Sequence, residues 1–236
     1  MNFPMSCQVC PVRDRALCSS LADDELCELK YIARERLVCR EQTICWAGEE
    51  GLICANVVTG LFKVTAALGD GHDQTVGILY PGDFIGSPTP STNKFSITAL
   101  TDSSICVFPR HLLEKFLSAH SHMERVLLQR TQASLDEARE RIMLLAHRSA
   151  EVRVATFLVD MARRSPVKTR VPDRTENLPS IELSLSRAQM GEILGLSNET
   201  VSRVLSRLSR RGLVDFPNGR RVAILNRSAL SEIAIP

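Results

Sequence analysis

Between Leu185 and Arg227, the side chains Glu199, Ser202, Arg203 and Ser206 share one face of a helical pattern. Val201, Val204, Leu205 and Leu208 take the opposite face, at positions i, i+3, i+4 and i+7. The polar face has the chemistry to read base pairs. Arginine donates two bonds to O6 and N7 of guanine, glutamate accepts from N4 of cytosine, and serine serves either edge. Arg207, Arg210, Arg211, Arg220 and Arg221 supply charge for phosphates, and the only nearby acids in the chain are Glu199 and Asp215. A solvated surface helix would also carry charge, so the flanking residues decide. Ser186 and Gln189 form a capping box for a preceding helix that ends near Leu194, Gly195 supplies a turn, and Ser197 caps the second helix. Asn218-Gly219 then fits a hairpin. Together these predict a winged helix-turn-helix on duplex DNA.

Thiols are the second set of residues with chemical potential. Cys7, Cys10 and Cys18 are spaced C-x2-C-x7-C, and Cys106 stands far along the chain in Ile-Cys-Val-Phe-Pro. The start MNFPMSCQVC lacks the basic and apolar regions of a secretion signal. A DNA binder in a reducing compartment has little use for disulfides, so the eight cysteines favour metal or redox chemistry. Thiolates suit iron–sulfur centres and zinc alike, and plain reduced thiols are the third reading. Cys27, Cys39, Cys45 and Cys54 read as small apolar residues, with Cys27 the substitute should Cys18 not be a ligand. His72, His120 and His122 lack metal spacing and read as surface residues.

These groups must be positioned by a chain of 236 residues, enough for two domains. The net charge of +2 hides an asymmetry: from Glu41 to Pro109 there is no arginine and only Lys63 and Lys94. A nucleic-acid module joined to something else fits that pattern. No apolar run approaches the roughly 18 residues of a membrane span, so a soluble, cytoplasmic protein without a membrane partner is expected. No catalytic constellation or Gly-rich cofactor loop is present, which speaks against an enzyme or electron carrier.

A helix is expected from Ser20 to Lys30, with Leu21, Leu26 and Leu29 apolar. Strands follow at Ile53–Val58, Gly60–Ala66, Thr75–Leu79, Phe95–Leu100 and Ser104–Phe108, with turns at Leu68–Gly71 and Pro81–Asp83, as in an antiparallel roll. From about Ser121 to Arg148, the residues Leu128, Thr131, Leu135, Ala138, Ile142 and Leu145 recur every three or four positions, the pattern of a two-stranded coiled-coil seam. Packing of that helix on its own domain is the alternative. A helix from Glu151 to Arg164 leads to Ser165-Pro166 and a polar loop with Pro172 and Pro179, read as a hinge. The fold class is α+β, in four segments: residues 1–30 a cysteine segment and first helix, 31–120 a β-roll, 121–148 a dimerisation helix, and 149–236 the winged helix-turn-helix.

This order resembles the Crp/Fnr family of bacterial transcription regulators along nearly the whole chain. The segment Glu199 to Arg203 is similar to the E-x-x-S-R reading motif of the FNR branch. The resemblance implies a cyclic-nucleotide-binding-like β-roll and a homodimer on palindromic, TTGAT-like promoter DNA, with RNA polymerase as partner. It assigns base contacts to Glu199, Ser202 and Arg203, with Thr200, Ser206, Arg207 and Arg210 completing the DNA-binding set. It also implies an oxygen-labile 4Fe-4S cluster on Cys7, Cys10, Cys18 and Cys106, the spacing resembling the alphaproteobacterial variant. A regulator of this fold that senses nitric oxide or another signal, or that carries a structural zinc, is the alternative. Cyclic-AMP binders of the family carry an Arg-Ser pair for the phosphate after a Phe-Ile-Gly strand end. Here Phe84-Ile85-Gly86 is followed by no arginine until Arg110, so no cyclic nucleotide is expected.

Overall fold

In the computed structural model, the backbone is described for residues 7–67, 73–164, 167–168, 179–182, 185–216 and 221–234. It divides into two units, Met1–Glu137 and Ala138–Pro236. The boundary falls inside the long helix rather than at either of its ends.

The first unit opens with short 3-10 turns at Cys7–Val9 and Leu17–Ser20, then helix α1 (Asp23–Ile32). The expected start at Ser20 is three residues early, because Ser20 closes the second 3-10 turn. Glu25 Oε2 instead accepts the Ala22 N–H at 2.8 Å, and Asp23, Asp24 and Glu25 favour the positive end of the helix dipole. Eight strands follow: β1 (Arg34–Val38), β2 (Thr43–Cys45), β3 (Ile53–Thr59), β4 (Phe62–Ala67), β5 (Asp73–Leu79), β6 (Phe84–Ile85), β7 (Ser96–Ala99) and β8 (Ser103–Pro109). They make two antiparallel sheets, ordered β1-β8-β3-β6 and β2-β7-β4-β5. The five expected strands are present. The other three are short or, in β1, charged along an edge where only Val38 is buried, so they carry no alternating apolar signal. Gly60 makes the β3–β4 turn at φ +85°, and a Cβ there would lie 2.0 Å from Ser103 Oγ.

Because side chains alternate across a strand, β3 and β8 feed two cores. Ala55, Val57 and Ile105 face the roll interior with Val38, Phe62, Ile85 and Ala99. Cys54 and Phe108 face outward, where α1, helix α2 (Arg110–Ala119) and the first turn of helix α3 (Ser121–His147) cover them with Leu26, Leu29, Leu113, Leu117 and Met123. Helix α2 was not expected.

In the second unit, α3 ends and helix α4 (Ala150–Arg164) begins. Strands β9 (Val167–Lys168) and β10 (Pro179–Glu182) precede helices α5 (Arg187–Leu194) and α6 (Asn198–Arg210). Strands β11 (Val214–Asp215) and β12 (Arg221–Ile224) and helix α7 (Arg227–Ala234) complete the chain. The sheet runs β11-β12-β10-β9, and α4 packs on α6, α7 and β10. Pro179 therefore opens a strand and is not part of a hinge loop. Ser165-Pro166, Pro172, the Leu68–Gly71 turn and the Asn218-Gly219 hairpin lie outside the described residues.

The thiols sort by burial. Cys27 and Cys39 are exposed, whereas Cys45 and Cys54 are buried. Burial pushes the Cys54 thiol up to about 12, with Arg110 pulling weakly the other way. The folded state thus keeps its proton longer than the unfolded chain does. The associated stability is complete below pH 9.0 and is lost as pH rises toward about 12. The melting temperature of the metal-free protein is expected to fall on raising pH from 9 to 11. At neutral pH, iodoacetamide should label Cys27 and Cys39 well before Cys54, and equal labelling rates by peptide mapping would refute this placement.

Candidate functional site

Cys106 lies in the middle of β8, not at its end, flanked in register by Glu35 of β1 and Asn56 of β3. It shares the outward face of the sheet with Phe108. Against that face the 7–18 segment folds back, with Val12 and Ala16 buried on Val58 and with Cys10, Cys18 and Cys106 packed beside them. Cys7, Cys10, Cys18 and Cys106 consequently line one cavity of about 30 Å³, whose other walls include Val12, Leu26, Leu29, Asn56 and Phe108. Cys27 does not line it and is exposed, which removes the case for it as a substitute.

Burial pushes the Cys106 thiol up to about 12, and the neighbouring Cys18, Cys7 and Cys10 add to the rise. Cys18 goes up to about 11 through burial and then through Cys10 and Cys7, and Cys7 is raised by burial and Cys10. Each of the four thus lies within electrostatic reach of others in the set. The candidate donors are all sulfur, and the described walls of the cavity include no histidine or carboxylate. Three of them do not converge tightly enough to share a single metal ion, nor does any other trio of His, Cys, Asp or Glu among the described residues.

Arg130, from α3, donates to the Ala16 carbonyl at 3.0 Å and to the Gly82 carbonyl at 3.3 Å. It therefore joins the cysteine segment and a roll turn to the long helix. Nothing in the local pattern around Arg130 announces this, because its partners are 114 and 48 residues away.

His120 and His122 are not simple surface residues. His120 stacks on Phe116 with ring centroids 3.9 Å apart, and its Nδ1 lies 2.8 Å from the Phe116 carbonyl. Its Nε2 faces Glu25 and Glu28 at 3.9 and 3.8 Å, and His122 Nε2 is 3.3 Å from Glu25. They pin α1 to the α2–α3 junction.

The helix-turn-helix forms as its caps require. Ser186 Oγ accepts the Gln189 N–H at 3.1 Å while Gln189 Oε1 accepts the Ser186 N–H at 2.9 Å, closing the capping box of α5. Gly195 ends α5 in the left-handed region at φ 62°. Gly191, which the pattern had not singled out, lets the turn fold back, since a Cβ there would sit 2.5 Å from the Leu196 carbonyl. Ser197 Oγ accepts the Thr200 N–H at 3.2 Å and starts α6. The loose carbonyls at the end of α5 are held by Arg141, which donates to Ile193, and by Arg153, which donates to Leu194 and also to Leu145 near the end of α3.

On α6 the inward residues Val201, Val204, Leu205 and Leu208 are buried. Glu199, Arg203, Ser206, Arg207 and Arg210 are exposed, and Ser202 and Thr200 half-buried. Ser202, Arg203, Ser206, Arg207 and Arg210 line a shallow groove of about 290 Å³. Arg203 donates to Thr200 Oγ1 at 3.3 Å within its own helix. A hydrogen bond from its own backbone N–H, then one from the Ser197 hydroxyl, hold the Glu199 carboxyl below its ordinary range.

The acids opposing the basic face are not only Glu199 and Asp215. Glu151, in the first turn of α4, accepts from Arg207 at 3.2 Å and from Arg211. For those guanidiniums to contact phosphate, they would first have to release the carboxylate. Glu151→Gln is expected to tighten binding to random duplex at low salt and to steepen the dependence of log K on log salt by about 1 to 2. An unchanged slope in salt titrations would sink this role. The exposed pair itself contributes at most about 1 kcal/mol to stability, so folding should survive.

Along α3, Leu128, Leu135 and Ile142 stand exposed at 58, 51 and 66%, seven residues apart. Thr131 and Ala138 between them are also exposed, with Thr131 Oγ1 bonded to the Leu127 carbonyl at 2.9 Å, and Leu145 is half-buried. An unpartnered apolar stripe with heptad spacing is laid out on one helix.

Residues 152–233 match the Crp-like helix-turn-helix domain family, and residues 35–120 match the cyclic nucleotide-binding domain family. The transcriptional activator protein FnrL of Cereibacter sphaeroides is 36% identical over 229 residues, covering 97% of this chain and 91% of that protein. The chain belongs to the Crp/Fnr family. The regulator is also 25% identical over 231 residues to the fumarate and nitrate reduction regulatory protein of Escherichia coli, covering 97% of this chain and 90% of the other. Among solved structures, FixK2 from Bradyrhizobium japonicum matches with a TM-score of 0.77 and 30% identity over 87% of this chain and 98% of that one. The regulator is therefore a DNA-binding transcription factor and not an enzyme, with the mixed roll, long helix and helix-turn-helix of its family. None of its described helices is long and apolar enough to cross a membrane.

Proposed function

We propose that the regulator is an oxygen-responsive activator of the FNR type, in which Cys7, Cys10, Cys18 and Cys106 hold a 4Fe-4S cluster that promotes dimerisation along α3 and binding to a palindromic promoter site. The observation that carries this reading is that four thiols, three from one loop and one from the middle of a sheet, line a single cavity. An all-sulfur donor set suits the soft iron–sulfur centres. The resemblance to a protein named FnrL supports the same assignment. When bound, such a group supplies an oxygen-labile link between the N-terminal segment and β8.

The residues of the chain carry the consequence outward. The thiols would have to give up protons to ligate, and burial, which raises Cys7, Cys18 and Cys106, opposes that loss. The 30 Å³ cavity holds little more than the share of one liquid water, so a cluster held there would require the 7–18 segment to give way. Arg130 bonds that segment through the Ala16 carbonyl and so would tie any movement of it to α3. Residues Leu128, Thr131, Leu135, Ala138, Ile142 and Leu145 form the seam between two copies. Whatever favours the dimer then favours DNA binding by the same factor.

On DNA, Glu199, Ser202 and Arg203 read base edges, and Thr200, Ser206, Arg207 and Arg210 complete the contact. RNA polymerase is the protein partner of the bound dimer, and no cyclic nucleotide is assigned. Arg110, the first arginine after Phe84-Ile85-Gly86, is engaged with Glu50 at 3.3 Å. The test is iron and acid-labile sulfide per chain after anaerobic purification, with the visible spectrum followed as air is admitted. About four of each, bleaching in air, is the expected result; zinc, or no metal, would overturn the sensor assignment and leave the DNA-binding one standing.

A further inference from the structure

Asn56 stands out among the walls of the cysteine cavity. It is 2% exposed, and its Oδ1 is buried without a hydrogen-bond partner. In β3 it lies directly opposite Cys106 of β8, on the face that also carries Val58 and Phe108. Directly opposed residues in an antiparallel pair keep their side chains in contact range. A carbonyl oxygen buried with nothing to bond is costly, and an apolar residue would fill the same position without that cost. The neighbouring outward positions of the same strand, Cys54 and Val58, are filled in that apolar way. The polar atom in the cavity wall calls for a partner in another state of the protein.

We infer that Asn56 is a positioning residue that donates an amide N–H hydrogen bond to the Cys106 sulfur when that sulfur is a ligand, and so governs how firmly the group held there is retained. This rests on the cluster assignment of the four cysteines. The side-chain amide has an acceptor end and a donor end of nearly equal size, so a half-turn about its last torsion exchanges them. Facing a protonated thiol, the carbonyl end is left without a partner. Facing a thiolate ligand, the NH2 end donates to it. Such a bond fixes the ligand's orientation and lowers the negative charge on sulfur, the role that partners behind metal ligands commonly play.

The test compares the full-length wild type with Asn56→Leu, which removes both ends of the amide, and Asn56→Asp, which when ionised keeps an acceptor of the same shape but no donor. All three are loaded with iron and sulfide under argon. Resonance Raman should show the terminal iron–sulfur stretches of both variants shifted from wild type. Iron loss to a ferrous chelator, still under argon, should be about fivefold faster in both. Metal-free Asn56→Leu should melt at or above wild type, because the orphaned amide is gone. Wild-type frequencies and chelation rates in Asn56→Leu would overturn the inference. So would wild-type behaviour of Asn56→Asp, or a metal-free Asn56→Leu that melts lower. A wild type that takes up no iron and sulfide is recognised before any variant is compared, and it refutes the cluster assignment on which this rests.

Discussion

Cys106→Ser is expected to abolish iron and sulfide retention and to cost about 5- to 150-fold in anaerobic promoter affinity, the usual range of coupling between two sites. The reason lies in where Cys106 sits. The other three proposed ligands arrive on one loop, and Cys106 is the only member of the set anchored in a sheet, paired on both sides by β1 and β3. Without it, ligation no longer ties the loop to the roll. Serine is close in size and leaves the ladder intact, so the variant should fold. The helix-turn-helix unit has its own core and should keep its weak, salt-sensitive affinity for any duplex. Thermal melting, metal analysis and anaerobic gel retardation check the three parts. A variant that retards promoter DNA as wild type does would end the proposal that these thiols are the sensor.

Arg203→Ala is expected to lose about 1 to 3 kcal/mol of discrimination at one base position while changing affinity for random DNA little. Arg210→Ala should weaken all sequences alike and reduce the salt slope by about 1. Both side chains are exposed on α6 and line the same groove, so neither change should unfold the helix. Their present bonds are local. Arg203 donates to Thr200, and the Arg210 Nε donates to the Ser206 carbonyl at 3.4 Å, both of which water can replace. Binding to a panel of single-base operator variants at several salt concentrations separates the roles. Equal losses for both variants on specific and random duplex would refute them.

The helix-turn-helix was the most legible part of the chain because its determinants are local. Capping pairs span three residues, the apolar face repeats within seven, and the turn glycine follows directly; Ser186, Gln189, Gly195 and Ser197 all act as their spacing requires. The roll was half legible. Strands buried on a face show their alternation, but an edge strand such as Arg34–Val38 has almost no buried face to show. Helix α2 has an apolar face but follows β8 without a gap, so no break separates it from the strand.

The sequence by itself determined the family, the α+β class, the reading helix and the spacing of the thiols, all of which depend on neighbours within a few turns of chain. Tertiary structure decided what depends on residues far apart. It brought Cys106 against the N-terminal loop, put Asn56 beside it with its Oδ1 unpartnered, and removed the case for Cys27 as a substitute ligand. It also set Glu151 against Arg207 and Arg211 and gave Arg130 and Arg153 the loose carbonyls of distant segments. The physical reason is one of range. Caps and amphipathic faces are written in residue spacing, whereas ion pairs, cavities and orphaned polar atoms exist only once packing has brought separate stretches of chain to the same place.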